Sequence, residues 1–113
     1  MKKIIVAAVA LFAAGAAQAA TGVSNLQFLE AARCRGLAAS ETLGKVDTSA
    51  IDAFLRQEGS SRELPVRASA SKKIVGAQKE ADKAEGDKKA KLLAERDGVC
   101  AVWIAGGQDA AKS

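Results

Sequence analysis

Cys34 and Cys100 are the only cysteines in the chain, so one intramolecular disulfide is the most it can form. They stand 66 positions apart. Whether they pair is a question of compartment, because disulfides persist where the surroundings are oxidising. The N-terminus addresses that question. Met1-Lys2-Lys3 is positive, Ile4 to Ala14 is apolar and uncharged, and Ala17-Gln18-Ala19 supplies small residues where a signal peptidase reads. This order predicts a cleaved secretory signal over residues 1–19, with the cut before Ala20. A membrane anchor would need about 20 predominantly apolar residues; this run is shorter and rich in weakly apolar alanine. No Leu-x-x-Cys stands near the cut, so lipid anchoring is not expected. A lysine-led, alanine-rich signal looks bacterial, and the expected destination is the periplasm.

A staple matters here because the core material is thin. Outside the signal the aromatics are Phe28, Phe54 and Trp103, while alanine is abundant. Alanine favours helix but buries little area. In the chain-entropy model a loop of this length gives roughly 4 kcal/mol of stabilisation. The whole stability of a small domain is only about 5–15 kcal/mol. The signal also takes Lys2 and Lys3 with it, so the net charge falls from +4 for the full chain to near +2. That is too little for a nucleic-acid footprint, and no nucleic-acid partner is expected.

Helical periodicity runs through the rest. Ser24 or Asn25 can cap a first helix reaching about Ala39, with Leu26, Leu29, Cys34 and Leu37 on one side. After a connection through Gly44, Ser49 with Asp52 approximates a capping box for a short helix. Ile51, Phe54 and Leu55 form its apolar face and Gly59 ends it. Pro65 suits the first turn of the next helix, about Val66 to Ala84, where Ile74, Val75 and Ala81 make a modest stripe. At Glu85-Gly86-Asp87 a turn and one long continuous helix are both open, and compactness favours the turn. A last helix is expected from about Lys88 to Ile104, with Leu92, Leu93, Val99, Cys100, Trp103 and Ile104 inward and Gly98 as an awkward interior residue. The expected fold is therefore all-α. It is a three- to four-helix bundle over residues 20–107 stapled by Cys34 and Cys100, followed by a flexible tail at 108–113.

Catalytic material is scarce. The chain has no His and no Tyr, which removes the commonest general base and metal ligand. No nucleophile elbow, phosphate loop or zinc spacing occurs. An enzyme, a cofactor and a metal site are all unexpected, and binding is the function class that remains. The loop from Gly59 to Pro65 is the preferred contact, with Ser60, Ser61 and Arg62 in it and Arg67 just beyond. A presented Arg62 could make charge-assisted bonds to carboxylates on a partner. Trp103 is expected to pack over the disulfide; exposed, it would be a hot spot. Residues 72–97 mix bases with slightly fewer acids, which reads as a solvated face.

The layout resembles a known group. One cysteine lies in the first helix, in Ala32-Arg33-Cys34-Arg35-Gly36-Leu37, and one in the last, in Leu92-Leu93-Ala94-Glu95-Arg96-Asp97-Gly98-Val99-Cys100; the helix from Gly44-Lys45-Val46-Asp47 to Phe54-Leu55 lies between them. This is similar to the small periplasmic peptidoglycan hydrolase inhibitors of alphaproteobacteria, of the PhiA type. The resemblance spans most of the mature chain and rests on layout, with no diagnostic motif. It implies binding to lysozyme-like muramidases and control of cell-wall cleavage. A second resemblance is to acid-stress periplasmic chaperones of the HdeA type, also small, helical and stapled by one disulfide. That one implies exposure of apolar surface when carboxylates are protonated. A third reading is a non-catalytic envelope interaction protein.

Overall fold

Ser24 starts the first helix, α1 (Asn25–Ala39), through a capping box. Its hydroxyl accepts from the Gln27 backbone N–H at 3.0 Å, and the Gln27 side chain accepts from the Ser24 N–H at 2.9 Å. In this computed structural model residues 22–107 are described; the expected signal at 1–19 and tail at 108–113 lie outside them. Four further helices follow: α2 (Ser49–Gly59), α3 (Leu64–Asp82), α4 (Gly86–Asp97) and the single turn α5 (Ala101–Ile104). No strand occurs among the described residues. The expected all-α bundle and its Cys34–Cys100 disulfide are both present.

α1 is the hub, and α2, α3, α4 and α5 all pack on it. Its buried residues include Phe28, Ala31, Ala32, Cys34, Leu37 and Ala38, too many for one stripe. This corrects the expected apolar face. Leu26 is 78% exposed and Leu29 only partly buried. The small residues of α1 admit neighbours on several flanks, so alanine and not leucine marks the inner positions. α3 answers with small residues of its own, and buries Ala70, Ala77 and Ala81. Val75, expected inside, is 54% exposed.

The helix ends are tied by polar groups. Buried Ser40 donates to Asp82 at 2.7 Å and accepts from the Leu43 N–H, linking the C-terminal ends of α1 and α3. Arg96 on α4 donates to the Leu43 and Gly44 carbonyls at 2.9 and 2.7 Å, holding the α1–α2 connection. The expected Ser49–Asp52 box does not form. Thr48 is the N-cap residue instead; its hydroxyl donates to Asp52, and Asp47 accepts from both the N–H and the hydroxyl of Ser49. Gly59 closes α2 with no positive φ.

α3 and α4 are separate helices joined by a turn at residues 83–85, as compactness requires. The expected single helix to Ile104 is corrected. It breaks after Asp97, where the Cys100 N–H reaches back to the Glu95 carbonyl, and resumes at Ala101. Glycine at 98 weakens the helix there, and the break lets Cys100 meet Cys34 at a Cα–Cα separation of 5.4 Å. Gly106 and Gly107, at φ 111° and 73°, then close α5, their N–H groups donating to the Trp103 and Val102 carbonyls. Val99, expected inward, is 58% exposed at the break.

The core gathers Phe28, Leu37, Ile51, Leu92 and Trp103 around the buried disulfide. Trp103 is 3% exposed, and its ring lies 5.5 Å from that of Phe54. Its indole N–H donates to Glu30 at 3.3 Å.

Candidate functional site

Arg62 was expected to project from the loop after α2, and the structure corrects this. Its guanidinium donates to the Glu58 carboxylate at 2.7 Å, the Val23 carbonyl at 2.7 Å, the Asn25 side chain at 2.8 Å and the Glu58 carbonyl at 3.2 Å. It also lies 5.0 Å from the centre of the Phe28 ring. With 12% of the side chain exposed, Arg62 clamps the end of α2 to the start of α1. The i,i+4 spacing of Glu58 and Arg62 was the available signal for this pairing.

The other expected contacts divide. Ser60 and Ser61 are exposed, and their hydroxyls donate to the carbonyls of Gln57 and Glu58 at the end of α2. Trp103 is buried and offers no surface. Arg67 is exposed on the first turn of α3 and makes no ion pair among the described residues.

Arg67 does not stand alone. From Leu64 to Lys79, α3 contains Arg67, Lys72, Lys73 and Lys79 and no acid. All four cations are exposed, and none forms an ion pair among the described residues. Between them stand small residues, Ala68, Ser69 and Ser71, also exposed. The first acid on the helix is Glu80, which is already held. It accepts from Arg33 at 3.0 Å and from Lys88 at 2.8 Å. Within residues 72–97 the acids all lie from Glu80 onward, so the mixed charge of that segment begins only in the last turn of α3.

Two depressions flank the α3 ridge. One, of about 470 Å³, lies between α2 and α3, with Arg56, Ser60 and Arg67 among its lining residues and Phe28 beneath. The other, of about 440 Å³, is lined by Lys72, Lys73 and Arg33 with Ser69 and Gly76. Arg56, absent from the sequence expectations, thereby joins the cationic surface. No pattern along α2 marks it; only the placement of α2 beside α3 does.

Behind this surface the ion pairs of Arg33 and Lys88 set the protonation preference of Glu80. The hydrogen bond from Lys88, then that from Arg33, holds the Glu80 carboxyl below its usual value. Arg33 is itself raised, chiefly by its bonds to Glu95 at 2.6 and 2.9 Å. At Asp52 burial acts upward but is outweighed by the bonds from Arg35 and Thr48, so its carboxyl is also depressed.

Among the described residues no group of three or more His, Cys, Asp or Glu could hold a metal ion, and no helix is long and apolar enough to cross a membrane. Chemically, the surface can attract and hydrogen-bond anions. No protein-family model, curated protein or solved structure matches the chain.

Proposed function

We propose that this chain is an exported envelope protein that binds lysozyme-like muramidases and inhibits peptidoglycan cleavage by occupying the active-site cleft. The observation that carries the reading is the exposed cationic surface of α3 from Leu64 to Lys79, a stretch with no acid. A muramidase cleft holds paired carboxylates, and an exposed helix with Arg67 on one flank and Lys72 on the other is complementary to it in charge. The guanidinium fork of Arg67 suits bidentate bonding to a carboxylate. Export is supported by the N-terminal pattern and by the buried disulfide, which suits an oxidising compartment.

The test is a cell-wall turbidity assay with several muramidases at neutral pH. The oxidised protein should slow clearing at near-stoichiometric amounts. Arg67→Glu combined with Lys72→Glu should remove the effect while leaving helical content and melting temperature in place. An inactive wild-type protein across that panel would sink the proposal.

A second reading, an acid-stress chaperone of the HdeA kind, has one observation in its favour. Glu80, Glu95, Asp52 and Asp82 all accept bonds from another helix or from the residues just flanking one, so protonation would loosen several helix contacts together. Suppression of client aggregation at about pH 2–3, where carboxylates are neutral, with none at neutral pH, would favour it over inhibition.

A further inference from the structure

α2 and α3 both rest on α1 but scarcely touch each other. The gap they leave is the groove of about 470 Å³, within the range of about 300–1,000 Å³ typical of small-molecule sites. Its floor and walls are apolar. Phe28 and Ala70 are 3% and 6% exposed, and Leu55 and Ile74 are partly buried against the core. On its rim stand Arg56 and Arg67, one from each helix, both exposed and neither in an ion pair among the described residues. No acid lines the groove.

We propose that this groove binds a medium-chain acyl carboxylate, with the chain against Phe28, Leu55, Ala70 and Ile74 and the head held by Arg56 and Arg67. An apolar body with one anionic end is what the lining asks for. A purely apolar ligand would leave both guanidinium groups without partners, and a fully polar anion would leave the floor wet. The lining positions on α3 run from Arg67 to Ile74, about 10 Å along a helix axis, which gives an alkyl chain room to lie lengthwise. Arg56 and Arg67 both carry guanidinium groups, and a planar fork of that kind favours a carboxylate, which it can bond in bidentate fashion. The site rests on the groove alone and stands or falls independently of muramidase inhibition.

The probe is dodecanoate, titrated calorimetrically below its micelle concentration into the oxidised protein at neutral pH. One-to-one saturable binding is expected. Arg56→Gln combined with Arg67→Gln should weaken it at least about tenfold, by removal of two charge-assisted bonds. Dodecanamide, with the same chain and no charge, should bind the wild type correspondingly less well. Ser71→Trp places a large ring on an exposed lining position and should abolish binding with circular dichroism unchanged. Absence of saturable binding, equal affinity for dodecanamide, or full affinity in a folded Ser71→Trp variant would each overturn the assignment.

Discussion

Gly36 on α1 lies so close to α3 that a β-carbon there would stand 2.8 Å from the Cβ of Ala77 and 2.9 Å from the Gln78 nitrogen, and closer still to the Ile74 carbonyl oxygen. Two of those neighbours are backbone, which cannot swing aside as a side-chain tip can. Alanine is the better helix former by about 1 kcal/mol, yet overpacking of this kind costs about 1–3 kcal/mol. Gly36→Ala should therefore lower the urea midpoint. A midpoint equal to or above wild type would show that α1 and α3 are not in such intimate contact.

Arg62 offers a second check. Its bonds to Val23 and Asn25 join the end of α2 to the start of α1, 39 and 37 positions away, while Glu58 at i−4 holds the guanidinium in place. Hydrogen bonds to charged groups contribute about 1.5–3 kcal/mol each before non-additivity. Arg62→Ala should therefore cost about 2–3 kcal/mol, because the lost partners include a carbonyl and a carboxylate in a part-buried setting. Arg62→Lys should recover only part of this, since one ammonium cannot reproduce the fork. Chemical denaturation of the three proteins decides the matter; an unchanged Arg62→Ala protein would rule out the clamp.

Both sulfurs of the disulfide are buried, with Cys34 1% and Cys100 0% exposed. Thiol–disulfide exchange requires access, so mild reductant should act slowly on the folded protein and quickly in urea. Replacing both cysteines by alanine should cost roughly 4 kcal/mol on the loop-entropy scale. With so much of the core made of alanine, the double variant should unfold well below the wild-type melting temperature. A double variant as stable as wild type would show that packing alone suffices.

Acid should destabilise the fold, and the sign follows from the direction of the shifts. Glu80 is depressed from 4.5 and Asp52 from 3.8. In that window the unfolded chain takes up more protons than the folded one, so stability is full above about pH 4.5 and falls as pH drops through the lowered folded values. Glu80→Gln should reduce stability at pH 7 and flatten part of the acid limb. Urea midpoints from pH 7 down to pH 3 would test this; a midpoint that rises on acidification would contradict it.

Much of the helical scaffold was legible because its signals are local. Ser24, Pro65, the turn near Gly86 and the glycine pair at 106–107 act through the backbone within a few residues, and the structure uses each of them. Side-chain orientation was less legible. Leu26 and Val75 carry the apolar label yet face solvent, while Ala31, Ala38, Ala77 and Ala81 are inside. Periodicity assumes one buried face per helix; a central helix packed by small residues has several.

The sequence by itself determined an all-helical chain with a thin core and one available crosslink, since composition, capping and cysteine count act without reference to the fold. Tertiary structure alone decided which charges are occupied. Arg62 and Arg33 are held by partners on other segments, whereas Arg56 and Arg67, which line one groove, form no ion pair among the described residues. A charge is paired or unpaired according to what the fold brings within about 4 Å of it, and Cys34 meets Cys100 because both α4 and α5, on either side of the break, pack on α1.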